Sequence, residues 1–327
     1  MSKVLDVYPE LRGYVHQTDF QPIGFEYCRP LSQIEQEVRD YTCIRTLGER
    51  SFRAFFEPGE SDETLLVAGE FANGLSLPVV TRAQAIRSAV MPEASLAILP
   101  NDSFRERNLD FSREENAAVS RGDAMPYVDR IRALVGEDSS VTVFGPSQGA
   151  VIGAAFASHP DTNVQAFAAV EAPNVVDRSV AVLTRDFGKS GAFLSRDIEL
   201  NVGSRRSELV AGHISSLTLA GRARYAIGAL SSTNRATVHL LNHATLANQL
   251  EALRKKKIGI SLTYAELGRV SPGYNNRLAV RNLLSEGYKG YSTLAFEGIT
   301  VGHSLTNVAL IGVAATRLAR EAREAAA

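Results

Sequence analysis

Residues 141–158 read VTVFGPSQGAVIGAAFAS, with Gly-Pro-Ser-Gln-Gly at 145–149. An apolar run precedes these five residues and a run of small residues follows them, which predicts a strand, a sharp turn and a helix. A serine at such a turn sits in strained backbone and directs its hydroxyl out of the sheet. The amide hydrogens at the start of the helix then point towards whatever the serine attacks. Ser147 is therefore the candidate nucleophile, and the competing interpretation is a glycine-rich turn in an ordinary parallel sheet.

The composition is that of a globular protein with a large core, because 45% of the 327 residues are hydrophobic and 22% are charged. A net charge of −1 predicts no strong attraction to nucleic acid or to anionic lipid. The two cysteines are too few for a structural zinc site. The N-terminus has no basic segment followed by an apolar run, and the chain has no run of 18 apolar residues. We therefore expect no signal peptide, no membrane span and a cytoplasmic location.

Short apolar runs alternate with helical stretches from residue 64 onwards. We predict strands at 64–68, 95–99, 141–144, 164–170, 258–263 and 291–296, and helices at 75–90, 114–135, 276–285 and from Leu305 to the C-terminal region. Strands separated by helices are typical of a mostly parallel α/β sheet with helices on both faces, a doubly wound arrangement. Two further runs at 41–47 and 51–56 predict a hairpin that precedes this alternation.

The alternation lapses between residues 174 and 250, where the sequence has helical patches and no convincing strand. We therefore predict a core formed by 41–173 and 251–327, with 174–250 as a helical cap over the mouth of the site. Residues 1–40 are interrupted by prolines and predict an extended arm, which would lie on the surface or on a partner and would allow a homo-oligomer.

A serine hydroxyl becomes a useful nucleophile only when a base accepts its proton. Of the six histidines, only His303 stands just after the last predicted strand and just before the final helix. The carboxyl ends of parallel strands meet at one edge of the sheet, so His303 is expected at the same edge as Ser147. His303 is the candidate base, and the alternative is a histidine that only begins a helix.

A carboxylate should orient the imidazole, and two glutamates qualify. Glu266 follows the strand at 258–263, and Glu171 follows the strand at 164–170. Both are expected at the edge that carries Ser147. The chain order serine, acid, histidine favours Glu266, with Glu171 as the alternative.

Two backbone N–H groups should stabilise the oxyanion that forms on the substrate. One belongs to Gln148, the residue after the nucleophile, and the other is expected from Glu70 or Phe71 in the loop after the strand at 64–68. Gly69 would let the backbone of that loop approach the substrate closely.

The chain resembles the α/β-hydrolase superfamily over residues 41–173 and 251–325. The resemblance rests on Gly-Pro-Ser-Gln-Gly at 145–149, on Ala68-Gly69-Glu70, and on Gly302-His303 before a terminal helix. It implies a nucleophilic Ser147, a basic His303, and oxyanion donors at Gln148 and at Glu70 or Phe71. Members of the superfamily usually carry a cap where residues 174–250 lie here.

The sequence thus predicts a serine hydrolase that cleaves an ester, thioester or amide through an acyl-enzyme. An esterase or lipase-like activity is favoured because the predicted cap would form an apolar pocket. The expected partner is a small acyl substrate, and the mechanism needs no cofactor and no metal. The alternative is a non-enzymatic binding or assembly protein built on the same fold.

Overall fold

The structure is a computed structural model. It describes residues 31–70, 74–103, 106–173, 175, 179, 181–182, 185, 231–243, 246–265, 271, 276–279, 287–296 and 309–326. Most of the predicted N-terminal arm (1–40) and most of the predicted cap (174–250) therefore lie outside the described residues, and the predicted domain boundaries stay predictions.

The described strands form one eight-stranded sheet in the order β1-β2-β4-β3-β5-β6-β7-β8. The strands are β1 (Thr42–Leu47), β2 (Arg50–Glu57), β3 (Glu63–Ala68), β4 (Ser95–Leu99), β5 (Ser140–Pro146), β6 (Val164–Val170), β7 (Gly259–Ala265) and β8 (Tyr291–Phe296). β1 and β2 form an antiparallel hairpin, and β2 also runs antiparallel to β4. All other neighbours are parallel, which confirms the predicted hairpin and the mostly parallel sheet.

Helices cover both faces of this sheet. They are α1 (Leu31–Tyr41), α2 (Leu77–Val90), α3 (Arg113–Ser120), α4 (Met125–Val135), α5 (Gln148–Ser158), α6 (Ser232–Asn242), α7 (Leu246–Lys255) and α8 (Ala309–Ala326). Among the described residues, no helix combines the length and the apolar character that crossing a bilayer requires.

Each face of the sheet has its own hydrophobic core because side chains alternate along a strand. Leu66 and Ala68 of β3 pack into the core that is shared with α4, α5 and α7. Leu65 and Val67 point the other way and pack into the core that is shared with α2 and α8. The doubly wound arrangement predicted from the sequence is confirmed.

The single helix predicted over 114–135 was wrong, since the chain forms α3 and α4 with a turn between them. Ser112 and Glu115 form a capping box that starts α3. In the turn, Gly122 has a φ of +93°, and a Cβ there would lie 2.7 Å from the Cβ of His243. Pro126 then lies in the first turn of α4, where proline is favoured. A glycine in left-handed backbone followed by a helix-starting proline explains the interruption.

The sheet topology brings several loops to one edge. β3, β5, β6 and β7 are parallel neighbours of one another in the order β3-β5-β6-β7, so their carboxyl ends lie side by side. Gly69 follows β3, Ser147 follows β5, and Glu171 follows β6. This edge is where ligands bind in open α/β sheets, and it carries the candidate site.

Candidate active site

Ser147 occupies the turn between β5 and α5 with φ 52° and ψ −124°. A residue other than glycine in such a region costs on the order of 1–3 kcal/mol and persists only where the surroundings hold it. Its N–H donates to the carbonyl of Val170 at 2.8 Å, and its carbonyl accepts from the N–H of Ala150 at 3.0 Å. The strand, turn and helix predicted around Ser147 are confirmed, and the serine is held in strained backbone at the start of a helix.

The glycines on either side of Ser147 lie where no side chain would fit. A Cβ on Gly145 would lie 2.6 Å from the carbonyl oxygen of Gly149. A Cβ on Gly149 would lie 2.2 Å from the carbonyl oxygen of Ala68. The end of β3 therefore crosses the first turn of α5 in direct backbone contact, as the close packing of a nucleophile turn requires.

The loop after β3 is held from two sides. The side-chain amide of Asn101 donates to the carbonyl oxygens of Gly69 at 3.1 Å and Glu70 at 2.9 Å. The carboxylate of Glu70 pairs with the guanidinium of Arg82 at 2.8 Å, and both side chains are buried. Because a buried ion pair fixes both partners, Glu70 is anchored through its side chain as well as its backbone.

Glu171 is wholly buried directly after β6, and its φ is +54°. Its N–H donates to the carbonyl of Thr263 at 2.8 Å, and its side-chain Oε1 accepts from the N–H of Ala265 at 2.9 Å. Both contacts are to β7. The carboxylate of Glu171 therefore lies at the carboxyl end of β7, against the residue that immediately precedes Glu266.

Three predicted site residues lie outside the described residues, namely Phe71, Glu266 and His303. The structure therefore brings Ser147, Gln148, Glu70 and Glu171 to one edge of the sheet and leaves the positions of the other three as predictions.

A buried polar cluster lies on the α4 and α6 side of the nucleophile turn. The Tyr127 hydroxyl and the Thr237 hydroxyl form a hydrogen bond of 2.5 Å, and Thr237 donates to the carbonyl of Thr233 at 2.7 Å. Burial raises the pKa of Tyr127 far above its usual value, against the opposing effect of the Thr237 hydrogen bond and of the neighbouring Gln148 amide. Tyr127 is thus a neutral phenol that can donate a proton in a hydrogen bond but does not titrate near neutral pH.

The sequence reasoning missed Asn101 and Arg82. Asn101 follows β4 and Pro100, so its position at the carboxyl edge of the sheet was a usable signal. Arg82 lies within α2, and nothing in the local sequence marks it as buried. Among the described residues, no group of three or more histidine, cysteine, aspartate or glutamate side chains is placed to hold a metal ion.

No protein-family model matches the sequence, and no curated protein matches it. Solved structures do match. A bacterial membrane phospholipase A is 15% identical, with 94% of this chain and 91% of that chain covered at a TM-score of 0.54. An α/β-hydrolase enzyme from a Medee basin deep-sea metagenome is 11% identical, with 84% and 95% covered at 0.53.

A third similar structure is the meta-cleavage product hydrolase of Pseudomonas fluorescens, which is 12% identical, with 83% of this chain and 95% of that chain covered at a TM-score of 0.52. At these identities the similarity concerns the fold. Together with the sheet order and the strained serine between β5 and α5, it identifies the chain as a protein of the α/β-hydrolase fold.

Proposed function

We propose that the protein is a serine hydrolase that cleaves an ester, thioester or amide through an acyl-enzyme, with a carboxylic ester as the favoured substrate. The observation that carries the proposal is the strained backbone of Ser147 at the start of α5. The strained turn exposes the serine hydroxyl to a substrate and holds it beside the N–H groups at the start of the helix. The solved structures named as a phospholipase and as hydrolases support the same class of reaction.

In the proposed reaction the Ser147 hydroxyl oxygen attacks the substrate carbonyl carbon while His303 accepts the hydroxyl proton. The carbonyl oxygen becomes an oxyanion, which accepts hydrogen bonds from the N–H groups of Gln148 and of Glu70 or Phe71. The bond to the leaving group breaks as His303 returns the proton to it. Water then attacks the acyl-enzyme by the same route, which releases the acid and restores Ser147.

The described contacts support Glu171 as the acid that orients His303. Its carboxylate is fully buried at the site edge, and it is directed towards β7, the strand beside β8, after which His303 follows in the chain. A buried carboxylate fixed by a backbone N–H has the rigidity that a triad acid needs. Glu266, which follows the penultimate strand, is the competing acid and comes directly after the residue that Glu171 binds.

The predicted cap would select the acyl group. One described part of it, α6, is attached to the site edge, since the side-chain amide of Asn234 donates to the carbonyl of Asp102 at 3.0 Å. Asp102 lies just past the carboxyl end of β4. A helix anchored there supports a cap that covers Ser147, which is only 3% exposed. Exclusion of water from such a site strengthens every hydrogen bond to the oxyanion.

A fluorophosphonate probe tests the proposal, because it reacts covalently with an activated serine. Wild type should be labelled on Ser147 and should hydrolyse a short-chain activated ester, and Ser147→Ala should do neither. Ser158→Ala is the matched control, since Ser158 ends the same helix at the opposite edge of the sheet. Among the described residues, the Ser158 hydroxyl donates only to the carbonyl of Ala155. A wild type that stays unlabelled and inactive would favour the binding-protein alternative.

A further inference from the structure

Asn101 makes two hydrogen bonds from one side-chain nitrogen. It is 1% exposed and lies two residues after β4, beyond Pro100. Its Nδ2 donates to the carbonyl oxygens of both Gly69 and Glu70, at 3.1 and 2.9 Å. Both hydrogens of the amide are thus used on two successive peptide units of the loop after β3.

Holding a carbonyl also fixes the N–H of the same peptide unit. The peptide is planar and trans, so its C=O and N–H point in opposite directions, and the described residues contain no cis peptide bond. The bond from Asn101 to the Gly69 carbonyl therefore turns the Glu70 N–H away from Asn101. The bond to the Glu70 carbonyl restrains the backbone of Glu70 on the other side of its Cα.

The loop after β3 approaches both Asn101 and the nucleophile turn closely. On one side, a Cβ on Gly69 would lie 2.9 Å from the backbone nitrogen of Asn101. On the other side, a Cβ on Gly149 would lie 3.2 Å from the carbonyl oxygen of Gly69. Gly149 is two residues after Ser147, so the Gly69 carbonyl that Asn101 binds lies against the nucleophile turn.

Asn101 is itself held rigidly. Its carbonyl accepts from the side-chain amide of Asn108 at 2.7 Å. The next residue, Asp102, uses one carboxylate oxygen to accept the N–H groups of Asn108 at 2.8 Å and Leu109 at 3.0 Å. A donor supported in this way can hold the loop in one geometry before any substrate arrives, which is what electrostatic preorganisation requires.

From these contacts we infer that Asn101 is a positioning residue for the oxyanion hole, acting through the peptide unit that carries the expected N–H donor of Glu70. The inference rests on the proposed function. Because the oxyanion exists only after attack on the carbonyl, Asn101 should stabilise the transition state much more than the bound substrate. Its loss should therefore lower kcat and leave KM almost unchanged.

The test replaces the amide with a group of the same shape that cannot donate. Asn101→Asp places a carboxylate against two carbonyl oxygens, so both bonds are lost and the loop is repelled. The matched control is Asn116→Asp in α3. The Asn116 amide also donates to two backbone carbonyls, those of Phe111 at 3.2 Å and Ser112 at 2.9 Å. Asn101→Ala is the second variant, which removes the donor without adding charge.

The measurements are kcat and KM on an activated ester, the rate of fluorophosphonate labelling, and thermal unfolding. Asn101→Asp and Asn101→Ala should lower kcat by about 10²–10³, as the loss of an oxyanion donor does, with KM within about threefold. Asn116→Asp should keep the wild-type kcat. Three results would overturn the inference while leaving the proposed function intact. They are labelling at the wild-type rate in both Asn101 variants, a rise in KM with an unchanged kcat, and failure of both variants to fold. An unlabelled wild type would overturn the proposed function and the inference together.

Discussion

The carboxylate of Glu171 accepts a hydrogen bond from the N–H of Ala265 at 2.9 Å, so β6 and β7 are joined by a side chain just beyond their last paired residues. The backbone of Glu171 joins them again through the carbonyl of Thr263 at 2.8 Å. A glutamine could keep both bonds, because its side-chain oxygen accepts an N–H as a carboxylate does. This makes Glu171→Gln a clean test of charge at this position.

Glu171→Gln should lower kcat on an activated ester by on the order of 10⁴, because a neutral amide no longer stabilises the imidazolium of His303. Thermal unfolding should change little, since the bond to Ala265 survives. Glu266→Gln is the matched comparison and should slow turnover by less than tenfold. Exchanged results would give the acid role to Glu266. If neither variant slows turnover tenfold, about 1.4 kcal/mol, a serine–histidine dyad replaces the triad.

Ser147→Gly should unfold at a higher denaturant concentration than Ser147→Ala, although both should be inactive. Alanine keeps the Cβ that strains the backbone at φ 52°, whereas glycine does not. The expected difference in the free energy of unfolding is about 1 kcal/mol, because glycine's larger entropy in the unfolded chain offsets part of the relief. Urea unfolding of the two variants measures it, and equal midpoints would mean that the turn relaxes without cost.

Gly149→Ala should lower kcat at least about 10²-fold, because small displacements of catalytic groups cost that much. The new Cβ would lie 2.2 Å from the carbonyl of Ala68 and would push the loop after β3 away from the nucleophile. Gly153→Ala is the control in the same helix, where the Cβ meets the side chain of Val143 at 2.7 Å. It should cost about 1 kcal/mol of stability and leave kcat within threefold; a matching loss of kcat would contradict the prediction.

Glu115 should make folding stability depend on pH. Burial acts to raise its pKa, but hydrogen bonds from Arg130 and from the N–H of Ser112 lower it overall. Because the folded-state pKa lies below the ordinary value, the stabilisation is present above the ordinary pKa and is lost as the pH falls through the folded-state pKa.

Glu115→Gln should therefore cost about 2 kcal/mol at pH 7, and the difference from wild type should shrink as the pH falls from 5 towards 3. Urea unfolding across this range measures the effect. Glu137→Gln is the control. The Glu137 side chain is 82% exposed, and its carboxylate lies 3.6 Å from the Arg132 guanidinium, which is a long contact for an ion pair. A cost for Glu115→Gln that does not change with pH would contradict the assignment.

The parallel part of the fold could be predicted closely from the sequence. The strands Ser95–Leu99, Val164–Val170 and Tyr291–Phe296 have the predicted bounds because each is a short apolar run between polar or turn residues. The break between α3 and α4 could have been predicted, because Gly122 and Pro126 are local signals for the end of one helix and the start of the next. The local sequence does not show the close approach of Gly122 to His243, 121 positions along the chain.

The site could be predicted only in part. The spacing of residues 145–149 indicated Ser147 and the amide of Gln148, since that chemistry is local. The bond from Asn101 to Gly69 joins residues 32 positions apart, and Arg82, at 3% exposure, is buried together with the carboxylate of Glu70 that it pairs with. Such side-chain partnerships form only when distant segments pack together.

The central position of β5 has a consequence for amide hydrogen exchange. β5 has four strands on one side and three on the other, whereas β1 lies at the edge with Ile44 74% exposed. Edge strands open by local fluctuation, whereas a central strand exposes its amides only when most of the molecule unfolds. Deuterium should therefore enter β1 early and β5 last. Ser147 directly follows β5, the strand expected to exchange last. Its strained backbone should therefore have no low-energy local opening through which to relax.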